Sequence, residues 1–144
     1  MIIREAKFAD AKELARLSLQ HGYEVSEGNV LKHLEKIQSY EDHAVYVGEV
    51  NSDELVGWVH VHGRYMIGVH PFAEIGGLVV DEQHRRKGYG EQLMRKCEEW
   101  AKVMGFEEVR LRSGGQRKGA HEFYRRIGYE NVKWQEVFSL KLKD

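Results

Sequence analysis

Leu78 to Met94 reads LVVDEQHRRKGYGEQLM. Apolar residues run to Val80, a basic run follows Asp81, and Gly88 and Gly90 bracket Tyr89 before residues with the spacing of an amphipathic helix. A strand that hands the chain to a helix in this way leaves the first backbone N–H groups of the helix without intrahelical partners. Glycine lets the turn close tightly around a ligand, and the partial positive charge of the helix start favours an anion. Arg85, Arg86 and Lys87 add charge at the rim. Two nucleotide loops do not fit. A Walker A loop needs G-x-x-x-x-G-K-[ST], yet Lys87 precedes Gly88 and Tyr89 follows it, so the magnesium-binding hydroxyl is missing. A dinucleotide fingerprint needs a third glycine and a place after the first strand, and GYGEQL lacks the glycine and lies past mid-chain.

The flanking sequence assigns elements around this turn. MIIREA reads as a short strand. Asp10 with Glu13 resembles a helix N-cap signal, for a helix with Leu14, Leu17 and Leu19 on one face. A second helix is expected from Asn29 to Ile37, with Val30, Leu34 and Ile37 on its stripe. HAVYVGEV and ELVGWVHVHG alternate as antiparallel strands around an NSDE turn. AEIGGLVV is uniformly apolar after its glutamate, as a strand covered on both faces would be. From Gly90 to Met104, Leu93, Met94, Cys97, Trp100, Ala101 and Met104 recur at helical spacing, and Gly105 stops the helix. EEVRLR is a strand, GAHEFYRRIG a short helix, and YENVKWQEVFSLKL a last strand pair or one bent strand. The expected fold is α/β, a mixed, mostly antiparallel sheet with helices on both faces.

Composition limits the function classes. The chain has 144 residues and one proline, Pro71, with no linker-like or repetitive tract, so one domain spanning 1–144 is expected. Lys plus Arg number 22 against 23 Asp plus Glu, and a net charge of -1 argues against nucleic acid or an anionic membrane as the partner. A single cysteine, Cys97, excludes an intrachain disulfide framework. With no signal-peptide pattern at the start, a reducing, cytoplasmic setting is expected.

A pyrophosphate that needs no metal, as in coenzyme A, suits the glycine turn. LVVDEQHRRKGYGEQLM resembles the acetyl-coenzyme A signature of the GNAT N-acetyltransferase superfamily, [QR]-x-x-G-x-[GA], through Arg85, Gly88 and Gly90. AHEFYRRIGYE is similar to that family's A-x-x-F-Y-x-x-x-G-[FY] segment, and the strand order extends the resemblance over nearly the whole chain. The resemblance implies the GNAT fold and transfer of an acetyl group from acetyl-CoA to a primary amine of a small molecule or peptide. It also implies that backbone groups of Leu78, Val79 and Val80 pair with the pantetheine arm like an added strand. The amides from Arg85 through Arg86, Lys87, Gly88 and Tyr89 to Gly90, with Glu91 at the helix start, hold the pyrophosphate in that reading. Many members carry asparagine where Arg117 stands, and SGGQRKGAHEFY instead resembles a subset with S-G-x-x-R-x-x-A-H-x-F-Y, seen in some aminoglycoside and other small-amine acetyltransferases.

Acetyl transfer to an amine needs a deprotonated amine, a stabilised oxyanion and a proton for the departing thiolate. Tyr124 corresponds to the family's tyrosine and is the general acid this implies; as residue types, Phe123 and Tyr124 also read as packing aromatics. Glu74 opens AEIGGLVV, in a context similar to that of a base in histone-acetylating members, and it also reads as a solvated strand end. Even spacing places Glu74 and Leu78 on one face of a regular strand. The backbone N–H of Val80 is the expected oxyanion donor. His60 and His62 alternate in WVHVHG and share a side, with His70 nearby. Such spacing can ligate zinc, but a closed site wants four ligands and the strand supplies no other, so no metal is expected. Tyr23, Glu24, Glu27, Tyr40, Tyr65 and the GRYMIGVHPF loop are expected to shape an acceptor side suited to a cation. A homodimer is left open, as is a non-catalytic acyl-CoA sensor.

Overall fold

Strands β1 (Ile2–Glu5), β2 (His43–Asn51), β3 (Glu54–Met66), β4 (Val69–Val80) and β5 (Val109–Leu111) form one sheet in sequence order. The computed structural model describes residues 1–51, 53–114 and 117–143. Ser52 of the expected NSDE turn, and Gly115 and Gln116 of SGGQRKGAHEFY, lie outside the described residues. The chain divides into two units, Met1–Arg112 and Ser113–Asp144.

In the first unit β1 to β4 pair antiparallel, while β5 runs parallel to β4. The mixed, mostly antiparallel sheet expected from the sequence is therefore the one formed. Alternation along β2, β3 and β4 sorts side chains to two faces. Val47 and Val79 on one face join Leu14, Leu17 and Leu34 in a buried cluster, with Trp58 packed against it, so α1 (Ala11–Leu19) and α2 (Glu27–Gln38) cover that face. Helix α3 (Tyr89–Val103) covers the other. Its Leu93, Met94 and Cys97 are fully buried, and Leu93 lies against Gly57, where a Cβ would meet its Cδ1 at 3.1 Å and the Val79 carbonyl at 2.7 Å.

Local chemistry explains the helix starts, with two departures from expectation. Asp10 does not cap α1 through its side chain; its carboxylate turns back to accept from Lys7 N–H at 2.8 Å and pairs with Arg4, closing a 3-10 turn at Phe8–Asp10. Leu19 is exposed, and Ser18 is buried in its place by donating its hydroxyl to the Leu14 carbonyl at 2.6 Å. Helix α2 begins at Glu27, earlier than expected, because Ser26 accepts from Asn29 N–H at 3.1 Å. The GRYMIGVHPF stretch is mostly ladder: Gly63–Arg64 pairs with Phe72–Ala73, and Met66 with Val69.

Gly76 marks a bulge in β4. His60 pairs with Gly77 and Val61 with Ile75, which leaves Gly76 without a counterpart on β3. The inserted residue inverts the alternation, so Glu74 and Leu78 lie on opposite faces of the sheet: Glu74 faces His62 on the α1–α2 side, while Leu78 pairs with Val59 on the α3 side. This corrects the even-spacing expectation, which holds only for an unbroken strand.

The second unit carries α4 (Lys118–Arg126), preceded by Arg117, whose N–H donates to the Gly114 carbonyl at 3.0 Å. Gly128 ends the following turn with φ 108°. The expected strand over YENVKWQEVFSLKL is not formed: residues 129–143 carry no regular element, and Val132, Trp134, Phe138, Leu140 and Leu142 are exposed. Alternation makes a segment competent for a strand, but a strand exists only where a neighbouring edge takes its N–H and C=O groups.

Candidate active site

The glycine turn is built from Asp81 onward. Asp81 is buried, accepts from Gln83 N–H at 3.1 Å and from Gln20 Nε2 at 3.3 Å, and lies 3.5 Å from Arg16 Nη1. Burial pushes this carboxyl up, but the Gln83 N–H, the Gln20 amide and Arg16 together hold it below its ordinary value. Gln20 also accepts from Glu82 N–H at 2.9 Å, so the last turn of α1 is tied to the loop twice. The loop then passes through Arg86 at φ 66° and Gly88 at φ 79°. Left-handed residues alternating with right-handed ones are the backbone pattern from which anion-binding turns are made. Gly88 is the N-cap of α3 and brings no capping side chain, so the first-turn N–H groups are left for another acceptor. Arg85, Arg86 and Lys87 are exposed around it, Tyr89 and Gly90 are half-buried, and Glu91 is occupied by Arg95 at 3.1 Å.

Beside this turn β4 has one free edge. Strand β5 ends at Leu111 opposite Ile75, so from Gly76 to Val80 the described residues supply β4 with a ladder partner only in β3. Asp81 N–H donates to the Val56 carbonyl at 2.8 Å. By antiparallel alternation the backbone groups of Val79 also face β3, and those of Leu78 and Val80 turn to the open edge. Of the three residues expected to present backbone to an arm, Val79 is thus held in the ladder.

Glu74 is not a solvated strand end. Its carboxylate is largely buried, with Arg64 Nη1 at 3.4 Å and His62 Nε2 at 3.6 Å from Oε1, and Arg112 Nη2 at 3.5 Å from Oε2. His43 from β2 joins His60 and His62, as the alternation requires. The His43 ring centroid lies 5.2 Å from that of His60 and 4.9 Å from that of His62, and Tyr40 stacks on His43 at 5.0 Å. Room for His60 comes from Gly76, where a Cβ would stand 2.9 Å from Nδ1. His70 is elsewhere, paired with Glu107 on the surface at 3.2 Å. Among the described residues no group of three or more His, Cys, Asp or Glu is placed to hold a metal ion. Tyr40 thus joins the histidines, whereas Tyr65 packs near Phe106 on the α3 side.

Tyr124 lies on α4, half-buried, edge-on to Phe123 at 5.1 Å and to Tyr129 at 6.2 Å, and its carbonyl accepts from Tyr129 N–H at 2.9 Å. Cys97 is fully buried and burial pushes its thiol up to about 12, so it supplies no nucleophile at neutral pH. Arg16, Gln20, His43, Arg64 and Arg112 carry no motif, and their parts in these clusters come from contacts between distant segments. No helix among the described residues is long and apolar enough to cross a membrane.

Residues 8–129 match the model of the Acetyltransferase (GNAT) family, and the chain belongs to that family. It is 38% identical over 87 residues to an uncharacterized N-acetyltransferase of Methanocaldococcus jannaschii, covering 59% of this chain and 38% of that protein. It is 33% identical over 82 residues to an aminoalkylphosphonate N-acetyltransferase of Salmonella typhimurium, covering 56% of this chain and 53% of that protein. The matches thus span well under two thirds of these relatives. Among solved structures, an aminoglycoside 6'-N-acetyltransferase of Acinetobacter haemolyticus superposes with TM-score 0.82 at 22% identity, over 99% of this chain and 100% of that one. An aminoglycoside N-acetyltransferase in complex with CoA superposes with TM-score 0.81 at 17% identity, over 97% and 99%. At these identities the likeness shows the fold.

Proposed function

We infer that the chain, as one domain over 1–144, transfers an acetyl group from acetyl-CoA directly to a primary amine of a small molecule or peptide. The observation that carries this reading is the open β4 edge leading into the uncapped, left-handed turn before α3. Together they offer a strip of backbone hydrogen-bonding groups ending in an anion cradle, which suits a pantetheine arm with a pyrophosphate at its end. The family match and the CoA complex of a protein with the same fold support the same ligand.

In this reading Leu78 and Val80 hold the arm through their backbone, and the amides from Arg85 to Gly90 hold the pyrophosphate. Arg85, Arg86 and Lys87 meet the remaining phosphate. Bound there, acetyl-CoA supplies an activated thioester. Of the two N–H groups on the open edge, that of Leu78 lies nearer Glu74 by two residues, roughly 7 Å of strand. The base serves the amine nitrogen and the oxyanion donor serves the carbonyl that this nitrogen attacks, so the two must be close, and Leu78 suits the donor's role better than Val80. Glu74 and its partners remove the amine proton, and the Tyr124 hydroxyl returns a proton to the departing thiolate. The inert Cys97 favours direct transfer over an acyl-enzyme. A lone buried cysteine also suits a reducing compartment, and the reading places the protein in the cytoplasm. The carboxylates of the acceptor side suit an ammonium, as the aminoalkylphosphonate and aminoglycoside enzymes' substrates would present.

Calorimetry with acetyl-CoA, followed by an amine panel with thiol detection, tests this. Heat with thiol release for at least one amine is expected. Heat without release across the panel would indicate the sensor alternative, and no heat on folded protein removes the reading.

A further inference from the structure

The histidine cluster and Glu74 together carry an inference that rests on the acetyltransferase reading and sharpens it. Both Glu74 oxygens are engaged by guanidinium groups, Oε1 by Arg64 at 3.4 Å and Oε2 by Arg112 at 3.5 Å. Each oxygen of the carboxylate thus already has a cationic partner. His62 faces the same carboxylate, with Nε2 3.6 Å from Oε1, and its other nitrogen, Nδ1, lies 3.1 Å from the carbonyl of Gly63. A carbonyl only accepts, so Nδ1 carries the hydrogen and the neutral ring presents its lone pair at Nε2, toward Glu74. The tautomer is set by the backbone, and the free proton position is the one beside the carboxylate.

Two of the neighbouring rings are tied to each other. His43 Nδ1 and His60 Nε2 are 3.0 Å apart and share a hydrogen, so one of the two nitrogens must be bare. His60 is pushed down to about 4, chiefly by burial and then by charge on His62 and His43. His43 is lowered by burial and by His62, against a smaller opposite effect of Asp42. The other groups facing the site are Tyr40, whose ring stacks on His43 and receives Lys36 of α2 at 5.3 Å, and the two arginines. Of the three rings, His62 is the one in an ion pair with a carboxylate among the described residues. His62 is therefore the ring placed to hand a proton to, or share one with, a carboxylate.

We propose that His62 and Glu74 work as one base, with Nε2 of His62 taking the proton that the acceptor ammonium must lose and the Glu74 carboxylate positioning and stabilising the resulting imidazolium. The N–H bond of the ammonium breaks, its electron pair stays on the amine nitrogen, and the proton forms the Nε2–H bond, directly or through one water. The proton then passes to solvent, and the neutral imidazole beside the carboxylate is restored. His60 and His43 stay neutral and hold the His62 ring by packing.

The test has two arms. Nitrogen NMR of the imidazoles in the unmodified protein should show His62, assigned through His62→Gln, with its hydrogen on Nδ1 and Nε2 bare in the neutral ring, and its Nε2 signal should change in Glu74→Gln. Kinetically, kcat/KM should rise with pH through one ionisation that His62→Gln removes, with a loss of roughly 10²-fold or more. Glu74→Gln should keep that ionisation while lowering kcat/KM. An ionisation that survives in His62→Gln, or vanishes only in Glu74→Gln, overturns the proposal, as does a His62 ring indifferent to Glu74→Gln. If acetyl-CoA gives no heat, the acetyltransferase reading fails as a whole. If heat and turnover persist while His62→Gln leaves the pH profile unchanged, only the assignment of His62 fails.

Discussion

Gln20 and Asp81 clasp across two distant segments: the Gln20 amide donates to Asp81 Oδ1 at 3.3 Å while its oxygen accepts from the next N–H, that of Glu82, at 2.9 Å. The end of α1 thereby ties down the turn that leads into α3. Gln20→Ala should loosen that turn at a cost of about 1 kcal/mol, weakening acetyl-CoA binding roughly five-fold with the fold retained. Calorimetry beside circular dichroism reads both quantities, and undiminished affinity would detach the clasp from the site.

Gly88 has φ 79°, and a Cβ placed on it would meet nothing within 4 Å, so its requirement is conformational or belongs to the ligand. Asparagine tolerates the left-handed region while valine does not. Gly88→Val should reduce acetyl-CoA affinity about 10-fold or more. Gly88→Asn separates the causes: retained affinity assigns the requirement to backbone conformation, lost affinity to close approach of the phosphates.

Tyr124→Phe removes a hydroxyl and little else. If that hydroxyl protonates the thiolate, kcat should fall by roughly 10²-fold while acetyl-CoA affinity stays nearly constant. Steady-state kinetics with calorimetry checks the split. An equal loss in affinity would mark Tyr124 as a binding residue.

His60 links stability to pH. Its folded-state value is pushed down to about 4 from the ordinary 6.5, so between these limits the unfolded chain binds the proton and the native protein does not. Stability contributed by this group is fully present above pH 6.5 and is lost as the pH falls toward 4, an upper figure on the order of 3 kcal/mol. Below that, the lowered carboxyls of Asp10 and Asp81 give up further stability as they protonate. Urea melts from about pH 4 to about pH 8 should show this slope, and His60→Gln should flatten it above pH 4.

Cys97 offers a control. A thiol with no exposed surface, pushed up to about 12, should resist aromatic disulfide reagents until the protein unfolds. Cys97→Ala should keep turnover within about two-fold while costing about 1 kcal/mol of stability. A large loss of turnover would reopen an acyl-enzyme route.

Much of the fold was legible because helical and strand periodicities are local. Leu93, Met94 and Cys97 recur as a buried helix stripe requires, and they are fully buried. His60 and His62 share a face because nothing interrupts β3 between them. The glycine turn was legible for a similar reason, since left-handed backbone and an uncapped helix start are written in adjacent residues. The strand expected over residues 129–142 is not formed, because pairing is not local and alternation by itself does not supply a partner edge.

The amino-acid sequence alone determined the order of the elements through α4, the glycine turn at Gly88 and the family resemblance, all of which depend on residues a few positions apart. Only the tertiary structure decided which side of the sheet each reactive group takes. One extra residue at Gly76 turns Glu74 away from Leu78 and toward His62, and the arginines that occupy its carboxylate come from the far end of β3 and the residue after β5. Strand register and bulges are set by pairing between segments, and a count along one strand does not contain them.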